Sequence, residues 1–177
     1  PSNYVGRPII STNPCAEVPL EDGGACNLGS LNLSRFIIDG YQNNARINWD
    51  QLAESTQLLV RFLDNVVIWN EDLNALEKQR IAASETRRLG LGIMGIADML
   101  NQLGISYDSK EGIDIITRVM EFITNAAFQA SASLAAEKGA SPIYSEDEYM
   151  ECPFINAALS QETQTIIREN GIRNIAI

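Results

Sequence analysis

Near the start of the chain, Cys15 stands between Asn13 and Glu17 in Ser11-Thr12-Asn13-Pro14-Cys15-Ala16-Glu17, and these residue types at this spacing could act on one small molecule. A second cysteine, Cys26, opens the run Cys26-Asn27-Leu28-Gly29-Ser30-Leu31-Asn32-Leu33, which is too polar and too broken by glycine for a simple core segment. A carboxylate beside a thiol repels the thiolate, so nucleophilic sulfur chemistry is disfavoured. The chain contains no histidine, which removes both the usual partner of a cysteine nucleophile and the commonest metal ligand. Hydrogen-atom chemistry needs the neutral S–H instead. A thiyl radical at Cys15 would take hydrogen from a substrate carbon, Glu17 would accept a hydroxyl proton from the same substrate, and the Asn13 amide would orient it. Pro14 holds Asn13 out of helical geometry, and Pro19 restricts the residue before it in the same way. Between the prolines, Cys15-Ala16-Glu17 is expected in an extended or turned segment, and if extended, residues 13, 15 and 17 share one face at intervals of roughly 6–7 Å.

The elements that must position these groups read as mostly helical. Ile9 and Ile10 suggest a short strand entering the site, and Glu21-Asp22-Gly23-Gly24 is a turn signal. Asn48 is the expected N-cap of a helix over 49–70, with Leu52, Leu59, Phe62, Leu63 and Val66 along one side. Further helices are expected over 73–85, over 93–103 with Gly104 closing it, and over 112–138. In the last of these, Ile116, Met120, Ile123, Ala127 and Leu134 make an apolar stripe that Gly139 ends. Residues 140–158 read as irregular around Pro142 and Pro153, with Glu146, Asp147 and Glu148 as a solvated acidic turn. A short helix over 161–169, ended by Gly171, and an apolar strand from Asn174 complete the reading. No internal repeat or linker interrupts it, so one domain piece is expected. Pro1 and the apolar Ile177 give both ends the look of cuts through a larger protein.

Composition narrows the function classes. The 177 residues are 45% hydrophobic and 20% charged, ordinary values for one globular domain. A net charge of −10 repels phosphate on average, which argues against a nucleic-acid polymer, although backbone N–H groups and a few arginines could hold a small phosphorylated ligand. No apolar run is long enough to span a membrane. Three cysteines without a secretory leader suggest free thiols in a reducing compartment, with the cytoplasm as the default.

The remaining motifs read as structural. If residues 21–24 make a tight hairpin, Cys26 lies near Pro19 and roughly 13 Å from Cys15, beyond the ~7 Å Cα limit for a disulfide. The two thiols then serve separate roles. Cys152 reads as inert packing, and three scattered cysteines without histidine do not supply a zinc site. Gly90 to Gly95 satisfies G-x-G-x-x-G, but it follows a predicted helix rather than an apolar strand. Close backbone packing therefore explains it better than dinucleotide binding. Arg87 and Arg88 read as solvated or carboxylate-paired rather than as phosphate ligands.

Asn13-Pro14-Cys15-Ala16-Glu17 resembles the N-x-C-x-E motif of ribonucleotide reductase large subunits, and the run from Cys26 resembles that family's second cysteine block. Glu85 to Leu100 is similar to the family's arginine-then-glycine segment, and Gly171-Ile172-Arg173-Asn174 to the run before its phosphate-binding loop. The resemblance covers nearly the whole chain. It implies an α/β fold, a ten-stranded α/β barrel with the radical cysteine on an inner loop. Residues 1–177 would supply part of that barrel, mostly helical in this piece with few strands.

The resemblance also implies roles. Cys15 would carry the thiyl radical that abstracts the ribose 3′-hydrogen, Glu17 would be the general base at the 3′-hydroxyl, and Asn13 would hydrogen-bond the substrate. Cys26 would be half of a reducing dithiol pair whose partner lies upstream. Implied partners are a ribonucleotide substrate, a thioredoxin-like reductant, nucleotide effectors and the remainder of the same chain. The proline of Asn13-Pro14-Cys15 looks like the adenosylcobalamin-dependent class, in which the cofactor generates the radical; the class using a separate metal subunit more often has leucine there. The piece alone is expected to be inactive. Two other readings stay open: a non-enzymatic helical interaction module with structural thiols, and a nucleotide-binding oxidoreductase that uses the glycine run.

Overall fold

In the computed structural model, which describes residues 1–177, the strands are few and short and the helices carry most of the core. After a 3-10 turn over Ser2–Val5, β1 (Ile9–Thr12) and β2 (Pro19–Glu21) form an antiparallel hairpin with residues 13–18 as its loop. β3 (Asn27–Asn32) then runs into a second 3-10 turn, Leu33–Phe36, where the Asn32 side chain accepts from Ser34 N. The two-residue strands β4 (Ile37–Ile38) and β5 (Arg46–Ile47) pair antiparallel. α1 (Trp49–Asn70) and α2 (Glu77–Thr86) lead to β6 (Leu89–Met94), followed by α3 (Ile96–Leu103) and the long α4 (Lys110–Lys138). α5 (Glu146–Met150), α6 (Pro153–Ala158) and α7 (Gln161–Asn170) complete the chain.

The joint that matters for the site is β3 with β6, a parallel pair in register from Asn27↔Leu89 to Asn32↔Met94. Parallel neighbours need a long crossover, which α1 and α2 provide. One face of the pair is apolar, with Leu31, Leu89, Leu91 and Ile93, and it packs against α1 and α4 through Val60, Leu63, Val67, Ala127, Ala130 and Leu134. Three caps start the long helices as local chemistry dictates. Asn48 accepts from Gln51 N, Ser109 from Gly112 N, and Ser160 from Thr163 N. A separate core under α5–α7 buries Phe128, Tyr149, Cys152, Ile155, Ile167 and Ile172.

The structure corrects several expectations. Residues 93–103 are not one helix. Leu89, Leu91 and Ile93 alternate with Gly90 and Gly92, a period of two that makes a strand, and α3 begins only after Gly95 adopts the left-handed conformation at φ 76°. The helix expected from residue 73 starts at Glu77, and Leu73 and Leu76 are exposed in the preceding turn. Phe62, expected on the buried side of α1, is exposed; Leu52, Thr56, Val60, Leu63, Asp64 and Val67 form the covered stripe. Residues 140–158 hold two short helices. Pro153 sits at the first position of α6, where its missing N–H costs no bond, and the acidic run forms the first turn of α5, where carboxylates face the positive helix end. Residues 174–177 form no strand. Ile175 N donates to Thr86 O and Leu89 N to Ala176 O, both at 3.0 Å, which docks the segment on the α2–β6 junction.

The strands make three two-stranded sheets and no closed barrel. The architecture is mixed helix and strand. No helix is long and apolar enough to cross a membrane.

Candidate active site

Cys15 stands at the tip of the β1–β2 hairpin. Ala16 N donates to Asn13 O (2.9 Å), which makes Pro14 and Cys15 the two central residues of a turn. Ala16 is left-handed at φ 62°. The Asn13 side chain then closes the loop, its Oδ1 accepting from Val18 N at 3.0 Å while Asn13 N donates to Val18 O at 3.2 Å. This is the turned form of the expected segment and corrects the extended one with residues 13, 15 and 17 on one face. Asparagine before proline starts a turn, and proline's preset φ suits the turn's second position. Cys15 and Glu17 are exposed on this loop, and Asn13 is half-buried at its base.

Cys26, just before β3, lies half-buried against β6. A β-carbon at residue 90 would stand 2.8 Å from Cys26 Sγ and would also collide with Leu28 Cδ2; at residue 92 it would meet Ser30 Oγ at 2.9 Å. The β3 side chains thus fill the space above Gly90 and Gly92. Close approach of β3 is the physical reason for the glycines at residues 90 and 92, as expected of backbone packing. The glycines follow helix α2, as expected, and the first two also lie within strand β6. Burial pushes the Cys26 thiol up to about 11, with the Arg88 guanidinium opposing and the Glu21 and Glu17 carboxylates adding. Neither thiol is in a disulfide, and Cys152 is a free thiol buried in the C-terminal core. The predicted hairpin over residues 21–24 is absent in that form. Gly24 N does bond to Glu21 O (2.9 Å), but β3 leaves to pair with β6 instead of returning along β2.

Both arginines ahead of β6 are buried and carboxylate-paired. Arg88 Nη2 donates to Glu21 Oε2 (2.7 Å) and to Ser2 Oγ (2.8 Å), joining the end of the hairpin to the start of β6. Arg87 donates through Nε (3.1 Å) and Nη2 (2.9 Å) to Asp64 Oδ1 in α1, and through Nη1 to Glu71 (2.9 Å). The fully buried Asp64 also accepts from Arg173 Nε at 2.9 Å and Asn174 Nδ2 at 3.1 Å. Burial alone would raise the Asp64 carboxyl, but Arg173 and Arg87 outweigh it and hold it below the usual carboxylate range. This network fastens residues 171–174 to α1 and to the approach of β6. Sequence reasoning missed Glu21, Ser2 and Asp64. Glu21 hid inside a polar turn signal, and Asp64 hid in the apolar stripe of α1; only its period-matched position among Val60, Leu63 and Val67 marks it as buried. No group of three or more His, Cys, Asp or Glu side chains is placed to hold a metal ion.

The site thus combines an exposed thiol and a carboxylate on one hairpin loop with a second, half-buried thiol at the start of a parallel strand pair. The chain matches the family described as "Ribonucleotide reductase, barrel domain" over residues 2–176, and it belongs to that family. It is 44% identical over 143 residues to the "Vitamin B12-dependent ribonucleoside-diphosphate reductase" of Mycobacterium tuberculosis (strain CDC 1551 / Oshkosh), covering 80% of this chain and 19% of that protein. The protein of the same name from Thermoplasma acidophilum is 42% identical over 141 residues, covering 80% and 18%. The "Ribonucleoside-diphosphate reductase subunit alpha" of Chlamydia pneumoniae is 34% identical over 145 residues, covering 80% and 13%. The chain thus spans less than a fifth of the length of these curated relatives.

Proposed function

We propose that residues 1–177 are part of the ten-stranded catalytic barrel of a ribonucleotide reductase, completed by the remainder of the same chain. In this reading Cys15 is the radical site, Glu17 the general base, Asn13 a substrate ligand and Cys26 one of the reducing dithiol pair. One observation carries it. An exposed thiol, Cys15, stands on a turn-constrained loop with the exposed carboxylate of Glu17 two residues on, in a chain that matches the ribonucleotide reductase barrel domain over residues 2–176. Burial keeps Cys26 as S–H near neutral pH, the form that can deliver hydrogen rather than act as a nucleophile.

The chemistry balances on these groups. The Cys15 thiyl takes the hydrogen from C3′ and becomes S–H, while Glu17 accepts the 3′-hydroxyl proton. The C2′–O bond breaks, and the hydroxyl leaves as water. Cys26 and its upstream partner supply two electrons and two hydrogens and close an S–S bond. Cys15 then returns its hydrogen to C3′, and Glu17 returns its proton to the 3′-oxygen. Ribonucleotide and dithiol become deoxyribonucleotide, disulfide and water. A thioredoxin-like reductant would reopen the disulfide, nucleotide effectors would act elsewhere on the parent, and the cytoplasm supplies the reducing setting.

We infer adenosylcobalamin as the parent's radical source, because relatives at 44% and 42% identity are named vitamin B12-dependent. This piece does not by itself make the cofactor's site. Cys15 stands exposed on its hairpin loop, so the walls around it would come from the rest of the parent. Reduction of radiolabelled ribonucleotide by the full-length protein and its Cys15→Ala variant tests the reading. Loss of turnover in the variant is expected, and undiminished turnover overturns it.

A further inference from the structure

Glu21 and Arg88 lie outside the groups assigned above to the substrate, yet their ion pair joins the end of the Cys15 hairpin to the start of β6. Glu21 ends β2 at 3% exposure, and Arg88 directly precedes β6 at 6% exposure. Their ion pair spans 2.7 Å, and Ser2 Oγ accepts a second bond from the same nitrogen of Arg88. From this joint one arm runs along the chain from Glu21 to Cys26, folded tightly at Gly24. A β-carbon on Gly24 would stand 2.9 Å from Glu21 O and 3.0 Å from Glu21 Cδ. The other arm runs from Arg88 to Gly90, the residue on which Cys26 Sγ rests. The same joint anchors the last residue of the hairpin that carries Cys15 and Glu17.

The pair is incompletely satisfied. Glu21 Oε1 and Arg88 Nε are buried with no hydrogen-bond partner. A half-satisfied buried ion pair contributes little net stability, and a well-packed apolar pair of similar volume is often as stable or more so. Stability alone therefore does not account for it. We propose that the Glu21–Arg88 ion pair is the positioning device of the two-thiol site, holding the base of the Cys15 hairpin and the Cys26 thiol in fixed relation to β6. Both residues are positioning residues, and the proposal rests on the reading of Cys15 and Cys26 given above. The charged groups acting on Cys26 are Arg88 from the β6 side, Glu21 from β2 and Glu17 from the hairpin loop.

The test uses the full-length protein. Iodoacetamide alkylation of Cys26, resolved by peptide mass spectrometry, is followed against pH in Glu21→Gln and Arg88→Gln, alongside kcat and KM for ribonucleotide reduction. Removing the Glu21 charge moves the Cys26 midpoint downward and removing the Arg88 charge moves it upward, each by roughly half a pH unit or more. In both, kcat falls roughly tenfold or more while KM stays within about threefold. Either single change leaves a buried charge unpaired and can unfold the protein, so Glu21→Leu/Arg88→Met is measured as well. That double variant keeps the parental thermal midpoint and remains slow. Parental turnover in the double variant overturns the proposal. So does a lowered thermal midpoint there, which would make the pair structural, or a Cys26 midpoint that neither single change moves. Activity retained by Cys15→Ala would instead sink the radical reading, while the alkylation arm still reports on the ion pair.

Discussion

Cys26 Sγ occupies the space that a side chain at residue 90 would fill, 2.8 Å from where the β-carbon of that residue would stand. Gly90 is not in a left-handed conformation, so the demand for glycine here is purely one of space. Gly90→Ala must push Cys26 and Leu28 away from β6. Overpacking of this kind costs about 1–3 kcal/mol. The expected outcome is a lowered thermal midpoint in the full-length protein and turnover reduced more than tenfold, because the sulfur moves by an appreciable fraction of an ångström. Parental turnover in Gly90→Ala would show that the seat of Cys26 is not needed.

Cys26 gives a pH signature of its own. Its thiol is raised from the ordinary value near 9 to about 11, chiefly by burial. The folded state therefore holds this proton more tightly than the unfolded chain does. Its contribution to stability is fully present below about 9 and is lost as pH rises from about 9 through about 11. Alkylation of Cys26 in the folded protein should consequently be slow near neutral pH and accelerate toward pH 11, whereas the urea-unfolded chain reacts with a midpoint near 9. Equal midpoints in the two states would contradict the burial.

Asp64 predicts the opposite pH slope. Arg173 and Arg87 hold its carboxyl below the usual range against the effect of burial. Stability from this group is present above the unfolded carboxylate value and is lost as pH falls through the folded one. Asp64→Ala leaves Arg87 and Arg173 buried without their shared acceptor, a change that costs about 3–5 kcal/mol. A thermal shift measurement at neutral pH should show the loss, and the variant should lack part of the parental acid sensitivity.

Tyr149 offers a cleaner hydrogen-bond test. It is fully buried, and its hydroxyl donates to Ile175 O at 3.1 Å, tying α5 to the segment that docks on β6. Tyr149→Phe keeps the ring and strands the carbonyl, so about 1–3 kcal/mol should be lost in denaturant unfolding. A change within error would mean that the carbonyl finds another donor.

Several parts of this fold were legible because neighbouring residues decide them. Asn48 capping α1 and Gly104 closing α3 are single-turn events, and both stand where the residue types put them. Of the stripe expected along α4, Ile123, Ala127 and Leu134 are buried as helical period alone dictates, whereas Ile116 is half-buried and Met120 is exposed. The N-x-C-x-E motif and the cysteine block pointed to the family to which the chain belongs. The turn at Asn13 had a usable local signal, since asparagine before proline initiates turns. The alternation of Leu89, Leu91 and Ile93 with glycines likewise marked β6 as a strand.

Other features depend on segments far apart in the chain, and no local pattern encodes which of them meet. Residue types alone decided that two thiols, an amide and a carboxylate lie near the amino end without a histidine among them, because composition needs no geometry. Only folding decided that Cys26 sits on Gly90, that Glu21 pairs with Arg88, and that Asp64 collects Arg87, Arg173 and Asn174. The seat of Cys26 requires β3 and β6 to lie side by side, with α1 and α2 looped between them, and the two ion-pair networks join the approach of β6 to β2, α1 and the C-terminal segment. That parallel pairing is set by burial of one apolar sheet face against α1 and α4, a balance of surfaces summed over the whole molecule.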